Sequence, residues 1–100
     1  MTRIELAPEV LEDFDRIVDH LLRHEVEDIP ARMAGIVQAL DILAHSPLIG
    51  RPAKAGRREL LIGRNARAYV ALYRFVPEID TVVVLALRSQ RESGFKRPAP

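Results

Sequence analysis

The hydrophobic positions of the chain repeat with two different periods, and the change from one to the other divides it into a helical part and a strand part. Val10, Leu11, Phe14, Ile17, Val18, Leu21 and Leu22 recur at intervals of three and four, while Asp15, Arg16 and Asp19 lie opposite them. That is the stripe of an amphipathic helix. Pro8 opens it, where a missing N–H costs nothing, and Glu9, Glu12 and Asp13 complement the positive end of its dipole. Arg23–Asp28 is a charged connection. A second stripe then runs through Ile29, Met33, Ile36, Val37, Leu40, Leu43 and Ala44. Asp28 is its expected N-cap, Pro30 lies in its first turn, and Ser46-Pro47 ends it. Gly35 costs this helix up to ~1 kcal/mol relative to Ala, and close packing against a neighbour is the expected reason for it.

Strand patterns occupy the second half. Arg58–Ile62, Ala68–Phe75 and Thr81–Arg88 are rich in β-branched and aromatic residues. Gly63-Arg64-Asn65 and Pro77-Glu78-Ile79-Asp80 carry the turn chemistry between them. Arg3–Leu6 alternates as a short further strand. Leu48–Arg57 is a basic loop, and Ser89–Pro100 is a polar tail, frayed from about residue 95. The expected fold is α+β in two layers, β-α-α-β-β-β, with a helical hairpin on a mainly antiparallel four-stranded sheet, forming one domain over residues 1–100.

One stretch breaks the alternation. Val82, Val83, Val84, Leu85, Ala86 and Leu87 are apolar without interruption, although a sheet with one wet face should alternate. In the middle strand Val70 and Leu72 share one face, and Tyr69, Ala71 and Tyr73 the other. One helical layer covers one face only. The expectation is therefore an apolar outer face, with Val70, Leu72, Val82 and Val84 open to a partner.

Charge sharpens this picture. Met1–Ser46 carries four Lys/Arg against ten Asp/Glu, and Pro47–Pro100 eleven against four, although the whole chain is only +1. Such a dipolar molecule suits a nucleic-acid or acidic protein partner for its basic half; differing solvation of helices and strands is the competing account. No cysteine is present, which excludes disulfides, thiolate metal sites and a cysteine nucleophile. No apolar run approaches a membrane span, and the N-terminus has no apolar export segment, so a cytoplasmic protein without membrane attachment is expected.

Few motifs carry chemistry. His20 and His24 have a helical metal-sharing spacing but no third ligand nearby, so no metal or other cofactor is expected. Neither Ser46 nor Ser89 sits in a nucleophile elbow. The arginines at strand ends, Arg58, Arg64, Arg67, Arg74, Arg88 and Arg91, form the one chemically suggestive set. Arginines neutralise phosphates and stabilise phosphoryl transition states; they also solubilise sheet edges.

The phrase Pro47-Leu48-Ile49-Gly50-Arg51-Pro52 followed by Arg58-Glu59-Leu60, the strand Tyr69-Val70-Ala71-Leu72-Tyr73-Arg74, and the terminal Leu85–Glu92 resemble the RelE/ParE toxin superfamily over nearly the whole chain. The resemblance implies the toxin of a type II toxin–antitoxin pair, assembled with a cognate antitoxin whose amphipathic C-terminal segment wraps around it. It further implies one of two targets, DNA gyrase for ParE-like members or the ribosome and its mRNA for RelE-like endonucleases. The nucleases carry an arginine where this chain has Val70. They also carry a histidine and a tyrosine where it has Ser89 and Phe95, and Arg91 alone matches. The ParE-like reading is therefore preferred and no catalytic residue is assigned. An endonuclease is the alternative, with Arg74, Arg88 and Arg91 as its phosphate clamp, and a non-toxic antitoxin-binding protein is a further one. Antitoxin binding is expected at Val70, Leu72, Arg74, Val82, Val84, Arg88 and Arg91, and target binding at Arg58, Arg64 and Arg91.

Overall fold

The computed structural model describes residues 1–64 and 68–91. Strand β1 (Arg3–Leu6) leads into helix α1 (Pro8–Arg23), helix α2 (Ile29–Leu40) and a single further turn, α3 (Ile42–His45). Strands β2 (Arg51–Pro52), β3 (Arg58–Ile62), β4 (Tyr69–Val76) and β5 (Thr81–Ser89) follow. The sheet has five strands in the order β1-β5-β4-β3-β2. The two-residue β2 is the strand that hydrophobic patterning does not register. β1 runs parallel to β5, and every other pair is antiparallel. The described part of the expected tail is Ser89–Arg91, of which Ser89 closes β5; its frayed end and Phe95 lie outside the described residues.

α1 starts at Pro8 as its sequence dictates, but its buried row is narrower than the apolar stripe. Val10, Asp13, Ile17 and Leu21 face inward, whereas Leu11 and Leu22 are each 62% exposed. α2 ends at Leu40, earlier than the stripe predicts, and α3 restarts after Asp41. Asp28 does occupy the position preceding α2, yet it makes no side-chain cap bond, and its backbone is left-handed with φ 57°. Gly35 has no atom within 4 Å of where a Cβ would stand. The expected close helix packing is thus absent at that position.

The apolar run in β5 has a geometric cause. β4 and β5 pair in register from Val76↔Thr81 to Tyr73↔Val84 and again from Leu72↔Ala86 to Tyr69↔Ser89. Leu85 is the extra residue of a bulge between them. A bulge resets the alternation, so Val82, Val84 and Leu87 all reach the helix-covered core alongside Tyr69, Ala71 and Tyr73. Ala86 and Arg88, paired with Leu72 and Val70, then face the other side.

Candidate functional site

Cross-strand pairs share a face, so the register assigns each arginine and each apolar residue to a side. Val70, Leu72, Arg74 and Arg88 share the outer face of the sheet. Val82 and Val84 do not; both are fully buried in the core beneath the helices, and the expectation that they line the outer face is corrected. Val70, Leu72 and Ala86, at 2%, 3% and 1% exposure, are themselves buried, so the outer face is apolar in composition without presenting these three side chains to solvent.

The arginines also separate. Arg74 pairs with Val83 and Arg88 pairs against Val70. Three residues of β4 therefore lie between the two positions, a backbone separation of roughly 13 Å at the rise of a strand. Arg74 is tied by Nη2 to the carbonyl of Ala55 at 3.3 Å. Arg91 lies just past β5, exposed, its backbone N–H donating to Ser89 Oγ at 3.3 Å. Arg64 is exposed just after β3, and Asn65 and Arg67 lie outside the described residues. Arg58 pairs with Tyr73 on the opposite, helix-covered side, and its Nη1 donates to the carbonyls of Gly50 at 2.7 Å and Leu48 at 3.1 Å. Of the expected target-binding residues, Arg58 is thus committed to holding a loop.

That loop explains two of the phrases in the sequence. The N–H of Gly50 donates to the buried hydroxyl of Tyr73 at 2.9 Å. A Cβ on Gly50 would stand 2.7 Å from the Glu59 carbonyl and from the Tyr73 ring and hydroxyl, so only glycine permits the approach. Arg51 Nε bonds Glu59 Oε1 at 3.0 Å across the β2–β3 pair. Burial raises the pKa of Tyr73 above its ordinary 10.0, while the Gly50 hydrogen bond and the charge of Arg58 pull the other way. Gly50, Arg51, Arg58, Glu59 and Tyr73 form a clasp.

The clasp creates a recess. Continuing the β2–β3 register backwards would set Gly50 opposite Leu60 and Ile49 opposite Leu61, but the ladder holds only Arg51↔Glu59 and Pro52↔Arg58. The loop instead leaves β3, and a pocket of about 360 Å³ opens there, lined by Ile49, Arg51, Glu59, Leu61, Val70 and Gln90 among others. Sequence reasoning passed over Ile49 and Leu61. The available signal was Leu60-Leu61-Ile62, where strict alternation puts Leu61 on the polar side.

At the far edge of the sheet, α1 supplies a second device. Asp13, 1% exposed, accepts the backbone N–H of Leu87 on Oδ2 at 2.9 Å. Arg16 pairs with Asp13 Oδ1 at 2.8 Å and donates to the carbonyl of Leu87 at 3.0 Å. His20 and His24 stack with ring centroids 4.2 Å apart, and among the described residues no group of three or more His, Cys, Asp or Glu could hold a metal ion. No helix among the described residues is long and apolar enough to cross a membrane.

A hairpin of helices packed over one face of a mixed five-stranded sheet is a RelE/ParE-like fold. A crystal structure of the toxin–antitoxin complex RelBE2 from Mycobacterium tuberculosis is similar to it, with a TM-score of 0.63 and 23% identity, covering 89% of this chain and 98% of that one. The family model described as "ParE toxin of type II toxin-antitoxin system, parDE" matches residues 4–94. The chain belongs to this ParE toxin family and is the toxin type of a type II toxin–antitoxin system. No curated protein matches its sequence significantly.

Proposed function

We propose that this chain is a ParE-like toxin that acts by binding DNA gyrase, in the cytoplasm, and that a cognate antitoxin neutralises it in a hetero-oligomer. The observation that carries the reading, beside the family match over residues 4–94, is the wide spacing of the arginines on the outer face. Metal-free RNA cleavage needs cations and an acid–base pair converging on one phosphate. Here Arg74 and Arg88 sit at opposite ends of the β4–β5 ladder, and Val70, buried and apolar, stands where the nucleases carry an arginine. A protein that poisons its target by binding needs shape and charge on its surface, and no reacting group.

Inducing the chain in bacteria without its antitoxin tests this. A DNA-damage response, with inhibition of supercoiling by purified gyrase, is expected. Arrested translation with cleaved mRNA would instead establish the endonuclease reading, and unimpaired growth the non-toxic one.

A further inference from the structure

Between β3 and the departing loop, the sheet offers a binding site for one kind of segment. The pocket of about 360 Å³ lies at the lower end of the volumes of ligand-binding clefts, room enough for a large side chain. Its mouth is apolar and solvent-facing, with Leu61 57% and Ile49 51% exposed and Leu48 beside them at 57%. Two large aliphatic side chains this open on the wall of one pocket, with a third next to Ile49 in the chain, mark an interaction surface.

The surroundings state what charge the occupant carries. From Pro47 to Arg64 the chain has Arg51, Lys54, Arg57, Arg58 and Arg64 against the single acid Glu59, and that acid is already bound to Arg51. The backbone states its shape. β2 covers only Arg58 and Glu59 of β3 and is the outermost strand. Leu60–Ile62 therefore form an open strand edge among the described residues, directly beside the pocket. An open edge accepts an extended segment by main-chain hydrogen bonds, with neighbouring pockets reading alternate side chains.

We propose that the β2–β3 pocket seats a large apolar side chain from an extended, acidic segment of the antitoxin, which pairs along Leu60–Ile62. The proposal rests on the toxin–antitoxin reading above and locates its contact. A second copy of this chain is the competing occupant, since α1 also combines exposed Leu11 and Leu22 with Glu12, Asp15 and Asp19. Those residues lie on a helix, whose backbone groups are bonded within the helix itself and cannot pair with the strand edge at Leu60–Ile62.

The test titrates the full chain with a synthetic peptide of the C-terminal half of the protein encoded by the adjacent gene. Leu61→Asp and Ile49→Asp each alter a half-exposed side chain, and thermal melts confirm that both variants fold; Leu61→Gln replaces either one that does not. The expected result is affinity reduced about tenfold to a hundredfold in both, the worth of one buried aliphatic side chain, with Leu11→Asp binding like the parent. Parent-like binding by both pocket variants overturns the proposal while leaving the toxin–antitoxin pair intact. Failure of the unaltered chain to bind removes the pair and the pocket's occupant together. Concentration-dependent self-association that Leu61→Asp abolishes gives the pocket to a second copy and overturns the proposal as well.

Discussion

Asp13 on α1 and Leu87 on β5 are joined side chain to backbone, with the carboxylate accepting the Leu87 N–H at 2.9 Å in a fully buried setting. The reason lies in the lengths of two strands. β1 pairs with β5 only as far as Leu6↔Val84, while β5 continues to Ser89. Beyond Val84 the β1 side of β5 has no strand beside it among the described residues, and a buried peptide group without a partner costs about 1–3 kcal/mol. Asp13 takes the N–H and Arg16 donates to the carbonyl, so two side chains one helical turn apart stand in for the missing strand.

Asp13→Ala should therefore destabilise the protein by about 2–3 kcal/mol, since it strands the Leu87 N–H and removes the acceptor for Arg16. Asp13→Asn keeps an acceptor and should cost about half as much. Urea unfolding of the three proteins measures this. Equal stability of parent and Asp13→Ala would mean that water satisfies Leu87.

Gly50→Ala should be among the more damaging single-methyl additions the protein could receive. The new Cβ meets the Glu59 backbone carbonyl at 2.7 Å, and backbone cannot swing aside as a flexible side chain does. Overpacking of this kind costs roughly 1–3 kcal/mol, and losing the Gly50–Tyr73 hydrogen bond adds about 1 kcal/mol. The check is a thermal melt, in which the midpoint should fall by several degrees.

Tyr73 gives a pH dependence whose sign is fixed by burial. Its folded-state pKa is raised above 10.0, so the unfolded chain loses this proton first as pH rises. Stability from this group is full below pH 10 and declines above it, as pH climbs toward the raised folded value. Tyr73→Phe should flatten that alkaline decline while lowering stability at neutral pH by about 1 kcal/mol, because Gly50 N–H loses its acceptor. Unfolding free energies on both sides of pH 10 test it, and an unchanged alkaline limb would assign the decline to other groups.

How much of this was legible in the sequence follows from which interactions are local. Pro8 and the three-and-four spacing define α1, and turn residues separate β3, β4 and β5, because those signals act within a few residues. Leu85 carried no such signal: a bulge is a property of two strands in register, and it is what sends Val82, Val84 and Leu87 to one face. The placement of Val82 and Val84 on the outer face failed for that reason. Asp13 was assigned to the helix dipole, since its partner Leu87 is distant in the chain. Likewise Gly50 and Tyr73 could be noticed as parts of phrases, but their mutual contact crosses from loop to sheet. Leu72, expected to report on partner binding, is 3% exposed, so Leu72→Glu tests folding first.

Gly35 offers a simple gain. It lies in the interior of α2 with open space where a Cβ would go. Gly35→Ala should stabilise the protein by about 0.5–1 kcal/mol through helix propensity and reduced unfolded-state freedom. A melting temperature that rises by a few degrees is the expected readout; a fall would show that this surface of α2 is packed against something in solution.

The spacing of Arg74 and Arg88 leads to the prediction with the widest consequence. General acid–base groups typically contribute 10²–10⁴-fold to such reactions, and Ser89, expected at the position of a nuclease histidine, would be a poor substitute for one. A reconstituted translation system containing ribosomes and a defined mRNA should show no codon-positioned cleavage when the chain is added. In a nuclease, Arg74→Ala and Arg88→Ala would each remove activity, since one phosphate would need both. In a binding toxin they act independently, because the Arg74 guanidinium is held at the Ala55 carbonyl and that of Arg88 at the Ser89 carbonyl, toward different ends of the β4–β5 ladder. Each should then weaken inhibition of gyrase modestly and more at low salt than at high salt, with effects that add in the double variant. Cleavage by the parent, abolished by either single substitution, would show that the two arginines converge on the ribosome and would replace the gyrase reading with the endonuclease one.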